Sequence, residues 1–166
     1  REVTLRLDEW TPCLLRGTPV LDMHIPPVES LTLEAVGDSM RLAIAVFTRH
    51  LPDRVFRAFS CRSWLFNTQW AEVLGSRSNI AAWQREQYLY PVSSPKPCGL
   101  EFIFGHRPFD PVRAPRDTRL QQGALAILER GEPLRCGGMF GLPEDLPGFG
   151  KQVYRDAWEE CIREIR

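Results

Sequence analysis

Asp22 and His24 stand two residues apart in Leu21–Ser30 (LDMHIPPVES), a strand-like run that breaks at Pro26-Pro27 before a helix begins. An imidazole beside a carboxylate keeps a defined tautomer and gains basicity. That suits a general base taking a proton from an attacking amine or hydroxyl. A solvated Asp/His pair on a half-exposed strand is the plain structural alternative. Just downstream, Ser30, Leu31, Thr32, Leu33 and Glu34 open the helix. The first turn of a helix offers unpaired backbone N–H groups and the positive end of the macrodipole, so this stretch can hold a phosphate without any side chain. It can equally be an ordinary strand-to-helix joint. The two prolines remove donors, and no glycine occurs between Gly17 and Gly37 to wrap a pyrophosphate.

Other reactive residue types have weaker settings. Tyr88 and Tyr90 share one face of a strand, so one hydroxyl can serve as an acid near a leaving group. Ser63 and Trp64 close an aromatic-rich strand, but no GxSxG surrounds the serine. Cys61 lies in the same apolar run and reads as core, because a reactive thiolate needs an electropositive, accessible setting. His50 falls at a helix end and His106 in a loop, and the three histidines have no carboxylate at ligand spacing, so no metal site is expected. The pair Gly137-Gly138 permits a bulge or a close backbone approach. It matches neither GxGxxG nor a P-loop.

Local elements must position these groups. Val3, Leu5 and Leu7 alternate with polar residues, which predicts a strand, and a turn at Arg16–Pro19 leads to a second over Val20–Ile25. Leu33, Val36, Met40, Ala43, Ile44 and Phe47 recur at helical spacing, with Ser30 or Thr32 as cap and Leu51-Pro52 as stop. Val55–Phe66 reads as a long strand. Short helices follow over Thr68–Leu74 and from Ser78 or Asn79 to about Glu86. Gln87–Val92 and Leu100–Phe104 read as two strands of a loose hairpin. Thr118-Arg119-Leu120-Gln121 is a capping box whose helix ends at Gly131. Leu134–Leu142 reads as a strand or glycine-rich loop, and a last helix runs from near Gly150 through Val153, Ala157, Cys161 and Ile165. This mixture predicts an α/β or α+β sheet with helices on both faces.

The 166 residues are one domain's worth, and 43% hydrophobic with 25% charged residues excludes a disordered chain. Lys+Arg and Asp+Glu are both 21, giving zero net charge, which disfavours a nucleic-acid-coating protein. Only Lys96 and Lys151 are lysine; the other basic residues are arginine. No window approaches a membrane span. Five widely spaced cysteines without CxxC argue against a disulfide framework or a zinc site, and for a reducing, cytoplasmic setting. The start at Arg1, with neither initiator Met nor signal peptide, is what a piece of a longer chain would show.

The segments TPCLLRGTPVLDMHIP (Thr11–Pro26), LTLEAVGDSMRLA (Leu31–Ala43), FRAFSCRSWLFNTQ (Phe56–Gln69) and SNIAAWQREQYLYPV (Ser78–Val92) resemble the GNAT-like C-terminal domain of bacterial acyltransferase-domain proteins. The resemblance implies a mixed, largely antiparallel sheet in a single GNAT-like domain spanning 1–166. Val20–Ile25 would be the fourth strand and Phe56–Phe66 the fifth. The two would splay so that a pantetheine arm pairs with the freed edge. It further implies transfer of an acyl group from acetyl-CoA or another acyl-CoA, without metal, to a small amine or hydroxyl acceptor. His24 oriented by Asp22 would be the base, Ser30–Glu34 would hold phosphates, and Ser63, Trp64, Tyr88 and Tyr90 would line the groove. The family's pyrophosphate signature is absent before the helix. That gives the alternative: a non-catalytic half that completes the site of an N-terminal domain lying outside this sequence.

Overall fold

The computed structural model describes residues 4, 6–26, 31–75, 77–94, 97–105 and 109–153. Its organising unit is a strand–helix–strand crossover. Strand β1 (Val20–Asp22) leads into helix α1 (Leu33–His50), which returns the chain to strand β2 (Ala58–Ser63) alongside β1. The two strands are parallel, with Leu21 opposite Phe59 and Asp22 opposite Ser60. A parallel pair needs such a crossover, because a tight turn cannot reverse the chain twice. Thr32 caps α1 by accepting the Ala35 N–H at 3.3 Å, and Val36 and Met40 bury its sheet-facing stripe.

Beyond β2 come a 3-10 turn (Trp64–Phe66) and the short helices α2 (Gln69–Leu74) and α3 (Asn79–Gln84). Strand β3 (Tyr88–Pro91), helix α4 (Leu100–Phe104), helix α5 (Arg119–Glu129), strand β4 (Gly137–Gly141) and a second 3-10 segment (Pro143–Gly148) follow. β4 inserts between β2 and β3, antiparallel to both, so the sheet order is β1-β2-β4-β3. β3 and β4 thus form a closing hairpin with α4 and α5 carried on its long connection. Leu21, Val36, Met40, Phe59, Cys61, Phe66, Trp83 and Met139 form the core beneath α1. Trp70, Ile103, Ala124, Ile127 and Leu134 form a second core between α2, α4 and α5.

Several expectations are corrected. The strand expected at Val3, Leu5 and Leu7 lies largely outside the described residues; Arg6–Trp10 is a turn, with the N–H groups of Glu9 and Trp10 both bonded to the Arg6 carbonyl at 3.1 and 2.9 Å. β1 stops at Asp22, and β2 is shorter than Val55–Phe66 because Ser63 turns the chain, its Oγ accepting the Leu65 N–H at 3.2 Å. Leu100–Phe104 is a helix. One polar residue in five cannot separate the two periodicities, and glycines at φ +89° and +86° bracket the turn. The capping box and the stop at Gly131 (φ +77°) are as expected. The helix expected from Gly150 through Ile165 falls almost wholly outside the described residues. Cys61 is the core thiol expected and Cys13 is exposed, but Cys98 and Cys136 form a disulfide with Cα atoms 5.7 Å apart. It ties the two ends of the connection that carries α4 and α5, where Cys98 N–H also bonds the Leu134 carbonyl at 3.0 Å.

Candidate acyl-donor edge

β1 and β2 stay together only briefly. The last backbone bond between them runs from Met23 N–H to the Ser60 carbonyl at 2.8 Å. Backbone groups of a strand alternate between its two edges, so the next to face β1 are the N–H and C=O of Arg62. No bond joins Arg62 to Met23 or Ile25 among the described residues. β2 therefore continues through Ser63 with an unpaired edge on the β1 side, while its other edge is held by β4 through Gly137. An unpaired strand edge is a ready template for an extended amide-bearing ligand.

α1 follows β1 in the chain, with ten residues between them. Leu31 and Leu33 pack their side chains against the core, and the Thr32 hydroxyl serves Ala35. The N–H groups of Leu33 and Glu34 have no partner among the described residues. The Glu34 side chain is exposed. Ser30 lies outside the described residues.

The remaining expected residues divide between the two sheet faces. In register, Asp22, Ser60, Phe140 and Tyr88 form one row across the sheet, and Arg62, Gly138 and Tyr90 the next, all on the face away from α1. Tyr88 stacks on Phe140 with centroids 4.8 Å apart. Burial, reinforced by the neighbouring Asp145 carboxylate to which it hydrogen-bonds, pushes the Tyr88 phenol up to about 12, so it stays protonated at neutral pH. Burial also raises the Asp145 carboxyl, an effect the Tyr88 hydrogen bond opposes. His24 is exposed two residues beyond β1, and no hydrogen bond joins it to the equally exposed Asp22 among the described residues.

Ser63 and Trp64 are not brought to Tyr88 and Tyr90. Ser63 pairs with Gly137 and faces the other way. Trp64 turns into the second core, edge-on to Trp70 and stacked on Phe102. Cys61 faces the core beneath α1, where burial and then the charge of Asp22 raise its thiol to about 11. Neither the open Arg62 backbone nor the Asp145 contact has a signature in the sequence. Alternation alone places Arg62 with Asp22, but only once the register of β1 on β2 is known.

No curated protein matches the chain. Among solved structures, an acyltransferase in complex with decanoyl-CoA is similar at 31% identity and TM-score 0.67, over 77% of this chain and 41% of that one. An acyltransferase in complex with CoA and 10C-teicoplanin is similar at 27% identity and TM-score 0.69, over 76% of this chain and 42% of that one. The chain thus spans about 42% of the length of that solved relative. The sequence matches the family described as the GNAT-like C-terminal domain over residues 6–140. The match covers most of a chain whose sheet is mixed and four-stranded, and the chain belongs to the GNAT-like C-terminal domain family.

Proposed function

We propose that this chain provides the acyl-CoA-binding edge of an acyltransferase that moves an acyl group to an amine or hydroxyl of a small acceptor. The observation that carries the reading is the unpaired backbone of Arg62 at the point where β1 leaves β2. The amide-rich arm of a CoA thioester would extend along this edge, with its pyrophosphate toward the N–H groups of Leu33 and Glu34. That the acyltransferases similar to this chain hold CoA, octanoyl-CoA or decanoyl-CoA supports the same donor class. In the reaction, the bond from the acyl carbon to sulfur breaks as one to the acceptor nitrogen or oxygen forms. The acceptor's proton goes to His24 and the thiolate departs. Asp22 adds negative charge at that edge without touching the imidazole. Tyr88 and Tyr90, on the face shared with Asp22, would meet the acceptor, with the Tyr88 phenol held by its hydrogen bond to Asp145.

Calorimetry and melting with CoA, acetyl-CoA, octanoyl-CoA and decanoyl-CoA test the proposal. Ligand at a hundred times its dissociation constant stabilises by about 2.7 kcal/mol, a rise of roughly 5–11 °C for a chain of this size. If no CoA species shifts the melt or gives heat, the reading fails. Unchanged turnover in His24→Ala would remove the base assignment alone.

A second reading has its own support: a half that shapes a site completed by another domain. Leu42 (65% exposed), Val46, Leu51 and Val55 leave an apolar strip uncovered along the end of α1, and the solved relatives are more than twice as long as the matched region. It predicts donor binding without turnover by this chain alone. No helix among the described residues is long and apolar enough to cross a membrane. A CoA thioester fits the cytoplasmic setting expected above, against which the Cys98–Cys136 bond counts.

A further inference from the structure

Away from the strand edge, a cavity of about 550 Å³ lies between the end of α2, the start of α3 and the start of α5. Leu74, Ile80 and Leu120 give it apolar walls, and Arg77 and Arg119 line it with no acidic residue among its lining. Neither guanidinium has a hydrogen bond or ion pair among the described residues. Neighbouring arginines do: Arg116 meets Glu129 at 2.7 Å and Arg130 meets Glu72 at 3.5 Å. Glu129 and Glu72 are thus engaged with other arginines, while the Asp117 carboxylate ahead of α5 holds no ion pair to either guanidinium among the described residues. Arg119 is also the first residue of α5, whose opening turn holds no acid. A cation gains nothing from the dipole at that end of a helix. Two guanidiniums without ion pairs, beside Leu74, Ile80 and Leu120 in a cavity of a size usual for small-molecule sites, suit an anion with an apolar part.

We propose that this cavity binds a phosphate monoester, its phosphate held by Arg77 and Arg119 and its apolar part against Leu74, Ile80 and Leu120. The site does not depend on the acyl-donor reading. The phosphate has two sources, the 3′-phosphate of CoA or a separate phosphorylated small molecule.

Amide spectra of the isotope-labelled chain, titrated at low salt with inorganic phosphate and then butyl phosphate, provide the test. Saturable shifts are expected at Ser78, Ile80 and Leu120. Butyl phosphate should bind roughly tenfold more tightly, the equivalent of about two buried methylenes. Both effects should vanish in Arg77→Gln/Arg119→Gln, whose exposed substitutions leave the melting curve in place. CoA binding more tightly than dephospho-CoA, with the preference lost in the double variant, assigns the site to CoA itself. Equal binding of the two, with the phosphate shifts retained, assigns it to a separate ligand. Absence of saturable shifts through the millimolar range, or shifts that survive in the double variant, overturns the proposal. Because phosphate is titrated alone, that result is distinct from a failure to bind acyl-CoA.

Discussion

Replacing Gly137 with alanine tests whether the open end of β2 is fixed by backbone packing. Gly137 pairs with Ser63 and lies beneath the Trp64–Phe66 turn that ends β2. A Cβ at Gly137 would fall on the Phe66 carbonyl oxygen, 2.6 Å from its carbonyl carbon and 2.9 Å from its Cβ. Most of these atoms are backbone and cannot rotate aside, so the turn or β4 must shift. Overpacking of this kind costs up to about 3 kcal/mol, which for a chain of this size lowers the melting temperature by roughly 9 °C. Gly131→Ala is the control. Its φ of +77° strains an alanine but its added Cβ meets nothing within 4 Å, so the cost is about 1–2 kcal/mol of backbone strain alone. Calorimetric melting of both variants, with decanoyl-CoA titrations of each, reads stability and edge geometry together. Gly137→Ala should melt lower than Gly131→Ala and bind more weakly, because its displacement reaches the strand end that carries Arg62. A Gly137→Ala protein that melts no lower than Gly131→Ala would mean that backbone packing at Gly137 does not fix the strand end.

Three further outcomes follow from the same contacts. Peptide mapping after alkylation at neutral pH should find Cys13 modified and Cys61 protected until denaturation, since burial raises the Cys61 thiol from 9.0 to about 11. The raised value favours the folded state while the thiol is protonated, so this stabilisation is intact below pH 9 and lost as pH climbs to 11; Cys61→Ala should flatten that part of the alkaline decline, and an unchanged profile contradicts the assignment. Thr118→Ala removes the hydroxyl that accepts the Gln121 N–H at 3.1 Å and breaks the capping box. It should cost about 1 kcal/mol, roughly 3 °C, and an unaltered melt would show the box to be dispensable. The Cys98–Cys136 bond closes a separation of 38 residues, for which chain entropy gives about 4 kcal/mol. Melting with and without a phosphine reductant should differ accordingly; identical melts would place the two thiols apart in solution.

The long-period signals were legible in the sequence. α1 declared itself by six apolar residues at helical spacing, and α5 by its capping box, because each spans enough turns for periodicity or reciprocal caps to stand out. Leu100–Phe104 was too short and too uniformly apolar for that, and its helical form depends on glycines at both ends and on Ile103 entering a core made by distant α2 and α5. The Cys98–Cys136 pairing likewise depends on tertiary approach, which spacing does not reveal. For the candidate site, Asp22, Tyr88 and Tyr90 share a sheet face, whereas Ser63 and Trp64 do not join them. The step from strand to 3-10 turn at Ser63 sends consecutive residues in different directions, which a reading of the run as one strand cannot capture. The open Arg62 backbone had no sequence signature, since an unpaired edge is a property of register rather than residue type.

Hydrogen exchange at the Arg62 amide, with and without decanoyl-CoA, reads the open edge itself. Rapid exchange is expected in the free protein, with marked slowing at Arg62, together with Leu33 and Glu34, when the thioester is bound. Bound decanoyl-CoA that leaves Arg62 exchanging at its free rate would contradict donor binding along this edge.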